Sequence, residues 1–390
     1  MPFYLILLVT MLTHVAFKGS KVLISLYAIE LGANPLVIGV LFAMYSVFPM
    51  FLSVYAGKVS DRFGFRPPMI FGACGLLAGL LLPYFVPGIA ALFVSATLIG
   101  LCYIFYVVAV QHLIGSFGEG AARTHNYSMF SVMVGLTALL GPTTAGFSID
   151  GIGHRSTYLL LACIPAIPIL TLLFLSAYLP RPKHQDTPPP AGRRVTDLLR
   201  APPLRRVLIA AGIMETGSEV VNFLLPIYGH SIGMTASQIG IMLGAYGLAL
   251  LLVRSVMPAL SRRLGEERVF GASLFVAGAA LVMFPFVSGF PLLLAMSFVL
   301  GMGLGCGAPL SLVLVYNRAP DGRSGEAMGL RQTVNKTTEV IVPLLFGSLS
   351  TAFGMVPVFW LDALLLACGG WLMWGDARKK QAAAGGRVKT

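Results

Sequence analysis

Continuous apolar runs, each about the 20 residues that a helix needs to cross a hydrocarbon layer, recur along the whole chain. Twelve can be marked, at about 3–29, 35–56, 68–86, 89–113, 125–149, 156–179, 205–229, 236–260, 268–287, 291–316, 326–350 and 356–374. The runs do not alternate apolar with polar residues, which argues against a membrane β-barrel. Asp, Glu, Lys and Arg make up 11% of the 390 residues, against about 25% in soluble domains. That is too little charge to dress a water-soluble surface, so a soluble enzyme or a nucleic-acid-binding domain is excluded. The pattern predicts an all-α membrane protein with twelve transmembrane helices. The N-terminal run lacks a basic leader and is interrupted by Lys18 and Lys21. It reads as the first span rather than a cleaved signal.

All connections but one are short. The exception, 180–204, reads PRPKHQDTPPPAGRRVTDLLRAPPL, a composition typical of a solvated linker. It divides the chain into a six-helix bundle over 1–179 and a second over 205–375, with a basic tail at 376–390. The basic residues fix an expected orientation. With both termini in the cytoplasm, Lys58, Arg62, Arg66, Arg123, Arg262, Arg263, Arg268, Arg318 and Arg323 fall in cytoplasmic loops, joined by the linker and the tail. Arg155 stands alone in the opposite loops. The net charge of +12 is thereby explained as a basic rim against an anionic leaflet, with no nucleic-acid partner. The absence of long extramembrane domains points to a bacterial inner membrane.

The chain overlays on itself at a shift of 201 residues. Gly32 falls on Gly233, Gly39 on Gly240, Tyr45 on Tyr246, Gly64 on Gly265, Pro142 on Pro343 and Gly146 on Gly347. Two parallel repeats predict two pseudo-symmetric bundles with a site at their interface. One chain holds both, so a monomer is the expected unit.

The loop after the second span reads Gly57-Lys58-Val59-Ser60-Asp61-Arg62-Phe63-Gly64-Phe65-Arg66. This resembles the G-x-x-x-D-R-x-G-x-R signature of the major facilitator superfamily, and with twelve spans and a 6+6 repeat the resemblance covers the whole chain. It implies the fold of that family and alternating-access transport. It also implies a latch at the cytoplasmic ends of the two halves: Gly57 for close helix packing, Asp61 and Arg62 as the charges, with Gly64 and Arg66 completing the motif. The second copy, 258–265, lacks the acid. Gly141, Pro142 and Gly146 in the fifth span resemble part of that family's antiporter run; the same residues also serve simply to shape a packed helix.

Ionisable side chains within the spans carry the remaining information, because each costs roughly 2.5–3.5 kcal/mol at mid-bilayer. His14, Lys18 and Lys21 share one face of the first span, at spacing i, i+4, i+7. Glu215, Glu219 and Asn222 repeat that spacing in the seventh and lie 201 residues further on. The eleventh span adds Arg331, Gln332, Asn335, Lys336 and Glu339. Arg254 in the eighth is placed to snorkel, and Asp362 in the twelfth is expected to be peripheral. These groups must pair or face water. A basic triplet opposite an acidic one predicts a binding site for an anionic or zwitterionic organic solute. It also predicts coupling to protons, since burial favours a protonated carboxyl and a nearby ammonium favours the ionised one. A structural ion-pair network is the bland reading of the same residues. A multidrug exporter of lipophilic compounds is the alternative function. A channel is disfavoured by the two-half repeat, and the chain has neither HExxH nor GxSxG, so an intramembrane enzyme is disfavoured too. Nothing implies a cofactor or a metal, and the five cysteines lie in apolar runs without a CxxC pair.

Overall fold

The computed structural model describes residues 2–117, 121–174, 195–287, 289–320 and 323–387. Among these residues the chain forms twelve helices of membrane length. The first four are α1 (Pro2–Glu30), α2 (Pro35–Phe63), α3 (Arg66–Phe85) and α4 (Ile89–Ser116). A helical stretch from Ala121 to Phe174 is broken at Gly153, where φ is 80°, into α5 (121–152) and α6 (154–174). Then come α7 (Pro202–Ser231), α8 (Ala236–Leu264), α9 (Glu266–Met283), α10 (Phe290–Arg318), α11 (Ser324–Phe353) and α12 (Val356–Arg387). Ten segments are long and apolar enough to cross a membrane. The remaining two passes are hidden for simple reasons: α5 and α6 run together as one apolar segment, Met129–Phe174, and α11 carries the polar stretch 331–339.

The repeat is written into the backbone. Every described residue with positive φ is a glycine, and the eight fall into four pairs 201 apart: Gly32 with Gly233, Gly64 with Gly265, Gly88 with Gly289, and Gly153 with Gly354. The turn between α1 and α2 shows how the sequence enforces this. Ala33 N–H donates back to Ala28 O across Gly32 at 2.9 Å, the six-to-one bond of a glycine-terminated helix. Asn34 then caps α2 by accepting from Val37 N–H at 2.9 Å. Between α7 and α8, Met234 donates to Gly229 across Gly233, and Thr235 forms a capping box with Gln238.

The helices form two six-helix bundles, α1–α6 and α7–α12. In the first, α2 and α3 both pack on α4; in the second, α8 and α9 both pack on α10. The bundles meet where α2 runs along α11 and α5 along α8. Phe51, Leu364 and Trp371 are among the exposed apolar side chains, as a lipid-facing surface requires. Residues 180–194 of the expected linker lie outside the described residues; 195–200 form a 3₁₀ turn and α7 starts at Pro202. The tail expected from 376 does not begin there. α12 continues helically to Arg387, and the buried Asp376 receives Arg206 at 2.5 Å and Arg318 at 2.7 Å.

Candidate functional site

Where the two bundles face each other there is a cavity of about 590 Å³. One end of it is sealed. On that side α2 meets α11 and α5 meets α8 through small residues, which let backbones touch. A Cβ on Gly240 would lie 2.7 Å from Pro142 O and 3.2 Å from Gly146 Cα, and one on Gly39 would run into the Pro343 carbonyl. Asp150, at the end of α5, completes the seal. Its carboxylate accepts from Ala236 N–H at 3.1 Å and Ser237 N–H at 2.8 Å, at the positive N-terminus of α8. The mirror position, Thr351 on α11, accepts from Leu36 N–H of α2 at 3.1 Å.

The cavity widens toward the other end, whose loops carry the basic motif, and there Ser53, Gln111, Arg254 and Gly329 form its margin. No bond across the halves from Arg62 or Arg66 is present among the described residues. Arg66 donates to Leu172 O and Leu173 O, both at 2.9 Å, inside its own bundle, and Arg62 lies over the Phe63 ring. A Cβ on Gly57 would meet open space, so the close packing expected of it is not made here. The Asp61 side chain lies outside the described residues. Gly64 ends α2 at φ 82°, a conformation that favours glycine.

Four of the charged residues predicted on α1 and α7 meet across this cavity. Lys18 and Lys21 line one wall, Glu215, Glu219 and Asn222 another, and Lys336 and Glu339 a third. Lys336 Nζ binds Glu339 Oε1 at 2.6 Å, and Ser46 on α2 donates to Glu339 Oε2 at 2.7 Å, bridging the halves. Lys21 Nζ lies 5.7 to 6.0 Å from the ring centres of Phe17, Phe42 and Tyr45, a cation–π cage. Phe17 in turn stacks on Tyr103 at 3.9 Å.

Three of the predicted residues are not on the cavity wall. His14 is buried behind it, edge-on to Tyr103, Tyr106 and Phe130, with Nδ1 3.0 Å from Thr10 O; aromatic side chains fill the space it was expected to face. Arg331 points away, to Ser311 of α10 at 3.2 Å. Asn335, one position from Lys336 and so turned about 100° around α11, is absent from the lining as well. Gly141 and Gly146 do shape packing: the first lies against Lys18 and Gly19 of α1, the second against α8. Pro142 reaches the cavity and, through its carbonyl, Gly240.

Other features were not read from the sequence. Tyr45 and Tyr246, matched by the repeat, both line the cavity, as does Arg254, which reaches Ser131 O at 3.4 Å instead of snorkelling. α7 is not one regular helix: Val220–Leu224 forms a π turn ahead of Pro226, between Glu219 and the sealed end. Nor did any identity in the repeat flag Asp150, whose mate is a threonine. Asp150→Ala is expected to weaken the seal by about 0.5–1 kcal/mol, the scale of a charge at a helix end. Labelling of a cysteine placed at the fully buried Ile38 checks this, and unchanged labelling refutes it.

A family model described as Major Facilitator Superfamily matches residues 6–215 and 207–389. The chain is 22% identical over 342 residues to "Uncharacterized MFS-type transporter YuxJ" of Bacillus subtilis (strain 168), covering 86% of this chain and 87% of that protein. It is 24% identical over 380 residues to "Multidrug resistance protein MdtG" of Dickeya zeae (strain Ech586), covering 94% and 92%. The protein of that name from Klebsiella pneumoniae (strain 342) is 25% identical over 368 residues, covering 90% and 87%. Among solved structures, a peptide transporter POT in complex with sulfate superposes with TM-score 0.80 at 16% identity, covering 97% of this chain and 94% of that one. A POT family transporter in complex with 5-aminolevulinic acid gives 0.80 at 14%, covering 97% and 96%.

Proposed function

The chain belongs to the major facilitator superfamily, and from that premise we propose that it carries a small anionic or zwitterionic organic solute by alternating access, coupled to protons. It is an integral membrane transporter and not an enzyme. The observation that supports the solute class is the pair of lysines, Lys18 and Lys21, on the wall opposite Glu215 and Glu219 in one cavity. A carboxylate or phosphate entering there offers the lysines a nearer partner than the glutamates across the cavity. The glutamates, deprived of their cations in a confined site, then take up protons. Solute binding and proton binding are linked by that exchange.

With both termini in the cytoplasm of a bacterial inner membrane, the wide end of the cavity faces inward and the state is inward-open. The expected latch at Asp61 and Arg62 belongs to the opposite state, in which that end closes. A monomer suffices, because one chain supplies both walls.

The test is transport by purified protein in liposomes, with amino acids and organic acids first ranked by thermal shift. Lys18→Ala and Lys21→Ala are expected to lose the shift given by an anionic hit. Glu215→Gln with Glu219→Gln is expected to abolish accumulation driven by a pH gradient while sparing exchange. Indifference of the wild type to the gradient, with both glutamine variants fully active, refutes proton coupling.

A second reading, export of lipophilic compounds, is favoured by the names of the Dickeya and Klebsiella relatives and by the aromatic lining of Phe17, Tyr45, Tyr103 and Tyr246. It predicts that a host expressing the protein gains resistance to lipophilic cations and that Lys18→Ala raises that resistance. The first reading predicts neither.

A further inference from the structure

Asp362, expected at the periphery, is fully buried between α12 and α7. Its Oδ1 lies 2.5 Å from Thr216 Oγ1, and its Oδ2 has no partner among the described residues. Thr216 Oγ1 also lies 2.7 Å from Ile213 O, a bond within its own helix. A hydroxyl has one proton and cannot donate to both acceptors. A neutral Asp362 resolves the conflict: the acid donates to Thr216, and Thr216 donates to Ile213. An ionised Asp362 would leave a charge in the interior with one oxygen bare, which is strongly unfavourable.

No counter-ion answers Asp362 among the described residues. On α9, Glu267 receives Arg318 and Glu266 receives Asn317; Arg268 sits at the same basic end. On α7, Glu215 and Glu219 line the cavity and Tyr228 donates to Phe284 O. On α11, Arg331 reaches Ser311 and Lys336 holds Glu339. On α12 itself, Asp376 binds Arg206 and Arg318.

The first bundle shows what packing alone asks for at this place. The positions 201 residues earlier are Val15 and Leu161, both buried. Both equivalent positions hold buried apolar side chains, and apolar residues are generally as stabilising as buried polar ones or more so. Packing therefore does not require a carboxyl at position 362.

We infer that Asp362 is a proton-binding site outside the solute cavity, loaded in the state seen here, and bonded to Thr216, the residue after Glu215 on α7. When the acid releases its proton to water, its carboxylate takes the Thr216 hydrogen bond and Ile213 O loses it, which changes the inner arm of α7. The proposal rests on the reading of the chain as a proton-linked carrier, but its test does not need the solute. Infrared difference spectra of the purified protein in lipid, recorded as pH is raised, read protonated carboxyls directly. The wild type is expected to show a protonated-carboxyl band near neutral pH that disappears in alkali. Asp362→Asn should lack this band and release one proton fewer per molecule. The Glu215→Gln, Glu219→Gln double variant should keep it. Thr216→Val should keep it at a shifted frequency. Asp362→Leu, which copies the first bundle, guards against misfolding and should fold normally without the band. A wild-type band that Asp362→Asn does not remove, or one that never titrates, overturns the proposal. Loss of proton-driven transport in Glu215→Gln and Glu219→Gln is a separate result and bears only on the carrier reading.

Discussion

Gly240→Leu is expected to abolish transport while leaving the helices intact. Gly240 sits where α8 touches α5, and the first side-chain carbon added there would meet Pro142 O at 2.7 Å. The obstruction is backbone, which cannot swing aside as a side chain would. The sealed end must therefore part, and the protein should shift to the state open on that side. Overpacking of this kind costs roughly 1–3 kcal/mol, equivalent to about 5- to 150-fold in the equilibrium between states. The mirror substitution Gly39→Leu presses on the Pro343 carbonyl and should act in the same direction. In a background without the five cysteines, a thiol at the otherwise buried Ile38 becomes accessible to a membrane-impermeant maleimide in both variants. Wild-type transport rates in Gly240→Leu would show that this contact does not form in the working cycle.

Glu339→Gln should be the most damaging single change in the cavity. It strips Lys336 of its 2.6 Å partner and weakens the bond from Ser46 that ties the two bundles. Removing one member of a buried pair costs about 3–5 kcal/mol; about 3 is expected here, since Lys336 keeps 27% of its side chain exposed. Adding Lys336→Met removes the stranded charge, so the double variant should recover most of the lost thermal stability. It should not recover transport, because the charge that the solute meets is gone. A double variant as unstable as Glu339→Gln alone would assign the damage to the Ser46 bond, and Ser46→Ala would then reproduce it.

The sequence exposed the architecture because membrane physics leaves so few options. Length and apolarity set the passes, and the constant shift of 201 set the two halves. That Lys18 and Lys21 of α1 face the same cavity as Glu215 and Glu219 of α7 was legible for a similar reason: a charge within a span must find water or a partner. What escaped depended on helix rotation and on distant contacts. His14 obeys the spacing that puts Lys18 and Lys21 on the wall, yet α4 and α5 bring Tyr103, Tyr106 and Phe130 over it. Asp362 looked peripheral because its nearest polar neighbour, Thr216, is 146 residues away in the chain. The latch motif was readable as residues, but Arg62 and Arg66 make their contacts within their own bundle, and no sequence pattern announces that.

The π turn at 220–224 gives α7 a property that α1, its mate, lacks. An i→i+5 turn holds one residue more than the α turns around it. That extra residue offsets one side of the helix from the other by about 100° relative to an unbroken α-helix. Glu215 and Glu219 lie on one side of it, and the buried 225–228 segment anchors the other. The turn thus sets where the two acids point relative to the anchored end, by a means that α1 does not have.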